Sequence, residues 1–297
     1  MNALTKLSVL VLLLIGLSGC GVRVAYNNLD WLIVRWVNQQ VSLDAQQEQM
    51  LRSWLDEELA WHCATQLPSY RSLVDQMRVD LVAGRLDSQR LTEYGEAIAV
   101  FGRTLTERSL PLLTELAASL SDEQVTQVLA AFDERTEEVR VRVEEESAEA
   151  LVKERAESME RSLRRLMGRA NADQRQRLRV WAESVTPTET YHLRQRLYWQ
   201  DRLAAALERR DDERFLAAEM AALMRPESAW STEYQAAMET NRALTLAALE
   251  DVVELADARH INRASARLTS LRDDFRRLSC EGEAPSALLA EVRAGSS

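Results

Sequence analysis

Helix breakers are scarce in this chain: five prolines and nine glycines in 297 residues, with Gly16, Gly19 and Gly21 crowded at the front. An all-β fold needs turn residues every ~8–12 positions and has too few here. No stretch sustains the period-2 alternation of a half-buried strand. Apolar residues recur instead at three and four, which is one face of a helix. Helix starts are written as capping boxes at Asp44-Ala45-Gln46-Gln47, Ser121-Asp122-Glu123-Gln124, Asn171-Ala172-Asp173-Gln174 and Thr186-Pro187-Thr188-Glu189. Pro187 stands in a first turn, where a helix tolerates it. Gly84 and Gly168 fall where helices should stop, and Pro68, Pro111 and Pro226 mark breaks or kinks.

These signals predict an all-α fold with helices over 27–39, 45–66, 69–83, 88–118 (broken near Pro111), 122–167, 172–185, 187–209, 211–224, 231–256 and 258–280. The stretch 122–167 would be one very long helix of ~70 Å. Its apolar seam of Val125, Val128, Phe132, Val139, Val143 and Ala150 is thin, and Glu144-Glu145-Glu146 interrupts it. A helix polar over most of its circumference bridges solvent or belongs to an elongated bundle. The expectation is therefore an elongated multi-helix bundle with a body over 42–280 and a frayed tail over 281–297. The capping boxes do not recur at a fixed period, which argues against a solenoid.

Residues 1–19 read as a secretory signal peptide. Lys6 supplies the positive charge, and Leu7 to Leu17 is an apolar run of roughly ten residues, short of the ~20 needed to span a bilayer. The tetrapeptide Leu17-Ser18-Gly19-Cys20 resembles the lipobox of bacterial lipoproteins. On that resemblance Cys20 is the lipidation site. Its thiol takes a diacylglycerol, and the amine freed by cleavage takes a further chain such as palmitate. Two or three such chains anchor stably, at ~0.8 kcal/mol per buried CH₂. Gly21, rather than Asp, follows the cysteine. In Gram-negative lipoproteins this implies export to the outer membrane, facing the periplasm. Residues 20–41 then form the lipid anchor and a membrane-proximal segment.

Hydrophobic residues at 46% and charged residues at 28% are globular composition, and the net charge of −10 leaves no sequence-wide basic field for nucleic acid. The serine-hydrolase elbow G-x-S-x-G and both glycine-rich phosphate loops are absent. Glu189-Thr190-Tyr191-His192 is an E-x-x-H, half of a di-iron bundle motif, but its nearest counterpart, Asp257 to His260, has Asp for Glu. Glu58 and His62 share a helix face at i, i+4. Three isolated histidines on separate helices are more often packed than ligating, so no metal, cofactor or catalytic residue is expected, and the chain reads as a non-enzyme.

Just past the lipobox come Ala25-Tyr26-Asn27-Asn28-Leu29-Asp30-Trp31, Trp36, Leu43-Asp44-Ala45-Gln46-Gln47, Trp61-His62 and Leu67-Pro68-Ser69-Tyr70. In this order they resemble a family of uncharacterised helical proteobacterial lipoproteins, most sharply over Leu17 to Leu73. That resemblance implies a lipid anchor and a helical periplasmic body, with no catalytic residues. Cys63 stands where relatives would carry a basic residue. Leu43 to Gln47 and Leu120 to Gln124 also look like the LTxxQ repeats of small periplasmic chaperones, though neither has the Thr, and a plain capping box behind a staple leucine explains both.

Four of the seven tryptophans, Trp31, Trp36, Trp54 and Trp61, stand near the anchor. They either fill the bundle core or, for Trp31 and Trp36 in Val22 to Val41, lie at the membrane interface. With Cys20 lipidated, Cys63 and Cys280 are the two remaining thiols in an oxidising compartment. They either pair as a disulfide or stay as buried free thiols. The expected function is an outer-membrane-anchored periplasmic lipoprotein with a structural or interaction role, its partners the membrane and another envelope protein. The alternative is an ATP-independent holdase.

Overall fold

The computed structural model describes residues 19–280, with side chains from Gly21 onward, and no strand occurs among them. The expected signal peptide, the Cys20 side chain and the tail from residue 281 lie outside those described residues. The fold is an all-α multi-helix bundle, as breaker scarcity and periodicity predict. The chain runs α1 (Gly19–Asn27), α2 (Leu29–Asn38), α3 (Ala45–Trp61), a π-turn (His62–Gln66), α4 (Leu67–Val82), α5 (Ser88–Ser119) and α6 (Asp122–Glu145). It continues through α7 (Ala148–Met167), α8 (Ala172–Ser184), α9 (Glu189–Glu208), α10 (Glu213–Leu223), a 3₁₀ turn (Pro226–Ala229), α11 (Thr232–Glu254) and α12 (Ala258–Leu278).

The core is divided. Helices α4 and α12 make the most extensive pairing. Val74 and Leu81 meet Ala264, Leu268 and Leu271, joined by Val22 of α1, Leu178 of α8 and Val252 of α11. A second cluster gathers Val41, Ala117, Leu120, Leu207, Leu216 and Met220 where α5, α9 and α10 converge. A third joins Val34 of α2 to Leu51 and Leu55 of α3 and Leu112 of α5. Burying one such leucine contributes roughly 1.5–3 kcal/mol, so each cluster stabilises its own contacts. The turn after α4 closes as a Schellman motif: Gly84 takes φ +66, its N–H reaches the Leu81 carbonyl and the Arg85 N–H reaches that of Asp80. The buried Asp80 carboxylate pins this turn, accepting from Tyr94 Oη at 2.5 Å and Arg85 Nη2 at 2.7 Å. Those bonds hold its pKa down at about 2.

Three of the four expected capping boxes form, at Asp44, Ser121 and Asn171, and a fourth forms at Asp257 with His260 in the Gln position. They pair across the structure. Gln47 Nε2 donates to Gln124 Oε1 at 3.0 Å, and Gln124 Nε2 donates back to Gln47 Oε1 at 2.7 Å. Each also donates to the carbonyl two residues before the other's N-cap: Gln47 to Ser119 and Gln124 to Ser42. The Asn171 and Asp257 boxes also meet, through bonds to backbone carbonyls and without a bond between their N3 side chains. His260 Nε2 donates to the Arg169 carbonyl, Asn171 Nδ2 to that of Leu255 and Gln174 Nε2 to that of Val252. The sequence shows no fixed period, yet the fold twice brings two capping boxes together, each donating to the carbonyl two residues before the other's N-cap.

Several expected elements are corrected. The 122–167 stretch is two helices, α6 and α7. Glu144-Glu145-Glu146 sets three negative charges against the negative end of the α6 dipole, and Ser147 then caps α7 through the Ala150 N–H. The longest helix is instead α5, 32 residues running straight through Pro111. Pro111 and Glu107, whose carbonyl it leaves free, are both exposed, so water can take the lost bond. The expected helix 27–39 is two, parted at Asn28, and helical backbone already begins at Gly19. The Thr186 box does not form. Helix α9 starts at Glu189, whose carboxylate is taken by Arg155 at 2.8 Å, while Asn241 bonds both backbone groups of Thr186.

The Gln124 side chain is buried and makes four hydrogen bonds at this joint, with Gln47, Ser42 and Ser121. Gln124→Ala is expected to lower the unfolding free energy by about 1–3 kcal/mol, read as a drop in urea midpoint at unchanged slope. The exposed control Gln89→Ala should stay within about 0.5 kcal/mol.

Candidate functional site

Two features bring the sequence-marked residues together: a clamp between Cys63 and Cys280 and the segment that follows Cys20. The clamp begins with Pro68. In the π-turn the Leu67 N–H goes to the His62 carbonyl, five residues back. The Cys63 carbonyl would then look to residue 68 for a donor, and proline has none. The Cys280 N–H fills that place at 3.1 Å. The two cysteines are joined as a disulfide, with Cα atoms 5.2 Å apart. Pro68 therefore does not break the helical path, as expected from sequence; the wider π-turn carries it, and α3 and α4 form one continuous rod.

Around this clamp sits an aromatic shell. Tyr26 Oη lies 3.0 Å from His62 Nδ1, and Tyr70 packs edge-on to His62 and against Phe101 and Phe275. Burial pushes the His62 pKa down to about 4, against the opposing pull of Glu58. Burial also pushes the hydroxyls of Tyr26 and Tyr70 up to about 12. These groups are neutral and packed over the whole neutral range. Glu58 itself pairs with Arg108 at 2.5 Å, and Arg108 stacks on Trp61.

The segment after Cys20 is two-faced. Val22 and Val34 point into the body and are 2% and 3% exposed. Arg23 pairs with Asp274 of α12 at 3.2 Å. The outward face shows Val24, Trp31, Leu32 and Trp36, at 62%, 51%, 40% and 53% exposure. Trp31 and Trp36 are thus not core residues. Trp54, by contrast, packs at the edge of the third cluster.

The other histidine motifs are spent on structure. His192 Nδ1 lies 2.9 Å from Tyr234 Oη, Glu189 holds Arg155, and Asp257 and His260 form a cap. No group of three or more His, Cys, Asp or Glu that could hold a metal occurs among the described residues. Sequence reading missed the Arg23–Asp274 tie and the Asp257 box. The second could have been found, since Asp-x-x-His keeps the cap geometry with a different acceptor.

A family of unknown function, DUF6279, matches residues 39–235, which covers α3 to α10 and leaves α1, α2, most of α11 and α12 outside. No curated protein and no solved structure matches the chain.

Burial of His62 generates a pH signature. Its folded pKa lies below the unfolded value near 6.5, so the unfolded chain binds the extra proton first. Stability from this group is complete above pH ~6.5 and falls as pH drops towards about 4, by up to about 3 kcal/mol. His62→Gln is expected to remove that part of the fall, seen as a flatter dependence of urea midpoint on pH than in the parent.

Proposed function

The chain belongs to this family of unknown function, and on that premise we propose that it is a lipid-anchored protein of the outer membrane's periplasmic face, without catalytic activity. Its helical body serves a structural or interaction role towards another envelope component. One observation carries the reading. The helical segment directly after Cys20 docks one face on the body and turns Val24, Trp31, Leu32 and Trp36 outward. No helix among the described residues is long and apolar enough to cross a membrane. A two-faced segment beside acyl chains lies in the interface, indoles at headgroup level.

The dispersion of other apolar residues favours this reading over a holdase. A client cradle needs a contiguous apolar surface of at least a few hundred Å². Beyond the stripe, the exposed large apolar residues are spread over six helices: Val79 and Val82 on α4, Ile98 and Val100 on α5, Phe132 on α6, Val180 on α8, Leu197 and Tyr198 on α9, and Leu255 at the end of α11.

Mass spectrometry of the N-terminal peptide from envelope membranes is expected to show acylated Cys20. The mature chain with Cys20→Ser should show a blue shift in tryptophan emission on liposomes, and Trp31→Ser with Trp36→Ser should abolish it. An unmodified N-terminus in a soluble fraction, or an unchanged spectrum, contradicts the proposal.

A further inference from the structure

Between α2 and α3 the exposed stripe opens into a hollow of about 430 Å³ lined by Trp31, Val34, Arg35, Asn38, Gln39 and Arg52. Val34 is its apolar floor, and the walls carry two guanidinium groups. Arg35 lies over the Trp31 ring, 5.4 Å from the centroid, and forms no ion pair among the described residues. Arg52 gives Nε and Nη2 to Glu48 Oε1, at 2.9 and 2.6 Å, which leaves Nη1 uncommitted there. Asn38 Nδ2 reaches the other Glu48 oxygen at 3.3 Å. Glu48 is therefore answered by its neighbours, and the hollow keeps one net positive charge from Arg35. This stands out in a chain of net charge −10.

We propose that this hollow binds the phosphodiester headgroup of an anionic glycerophospholipid in the leaflet that α2 touches. The inference rests on the interfacial reading of α1 and α2. A guanidinium fork matches phosphate oxygens in geometry as well as charge; Arg35 offers its fork and Arg52 its one uncommitted Nη1, so a phosphodiester is met from both helices. The volume falls in the range of small-ligand sites. The Trp31 indole and the Val34 floor suit the glycerol and the first methylenes. One net positive charge is balanced by a headgroup with one net negative charge. A zwitterionic headgroup brings its own cation, which the arginines repel. Free phosphate shares the recognition chemistry but brings no apolar part for Trp31 and Val34.

The test uses the acylated mature protein reconstituted in phosphatidylcholine vesicles. Brominated phosphatidylglycerol, or brominated phosphatidylcholine at the same mole fraction, is added as a tryptophan quencher. The phosphatidylglycerol quencher should be enriched about fivefold over the phosphatidylcholine one, an advantage of the size one arginine gives at an anionic surface. Arg35→Gln and, on the other helix, Arg52→Gln should each cut that preference, with circular dichroism unchanged. Arg35→Lys should keep only part of it. Equal quenching by both lipids in the parent, or a preference untouched in both variants, overturns the site but leaves the interfacial reading standing. A preference that inorganic phosphate erases overturns the lipid as ligand. Quenching by neither lipid brings down the interfacial reading itself.

Discussion

The Cys63 carbonyl is the point on which the seating of α12 against α3 and α4 depends. A proline five residues on denies it the donor that a π-turn would supply, and the backbone N–H of Cys280 takes the place. A buried carbonyl left without that bond would cost about 1–3 kcal/mol. The disulfide fixes the same two residues across a sequence separation of 217. In the chain-entropy model a loop that long stabilises the fold by up to about 5 kcal/mol. The pairing of α4 with α12, and the seat of α1 on α12 through Val22 and Arg23, follow from where this clamp holds the last helix. The His62 ring and its aromatic neighbours fill the space around it.

The rest of the bundle is organised by a second device. Four of the described helices start on boxes whose third residue is long enough to satisfy its own cap and then reach a partner's chain. Gln47 and Gln124 do this for the α3–α6 joint, Gln174 and His260 for the α8–α12 joint. A divided core, with small apolar clusters rather than one large one, gains definition from such polar joints, since a buried amide tolerates few alternative registers.

Local signals were legible and long-range ones were not. Asp44, Ser121 and Asn171 announce their helices because a capping box is complete within four residues. That those boxes would meet in pairs is a property of the fold, and nothing in one box encodes its partner. Thr186 failed for the same reason, since its required Glu189 is claimed by Arg155 from another helix. Pro68 and Pro111 read as breaks because sequence shows the lost N–H but not the fate of the carbonyl it leaves. One is answered by Cys280 and the other faces water. Cys63 and Cys280 fit either a bridge or free thiols in sequence, because distance is not written there. For Trp31 and Trp36 composition allowed core or interface. Only the docked inner face, Val22 and Val34, shows which way they turn.

The outward-facing stripe, the hollow beside it and the clamp lie on consecutive parts of one path: α1 and α2 carry the first two, and α1 is tied to the third by Tyr26 on His62. The segment after Cys20 and the body are therefore mechanically continuous, with the Cys63–Cys280 node as the joint between them. Hydrogen exchange at the Cys280 amide tests this most directly. The account predicts that this amide, two residues past the end of the last helix, is protected as long as core amides of α4 and α12, and that Pro68→Ala weakens that protection by offering Cys63 a competing donor. Exchange at the rate of an open chain in the oxidised parent protein would contradict it.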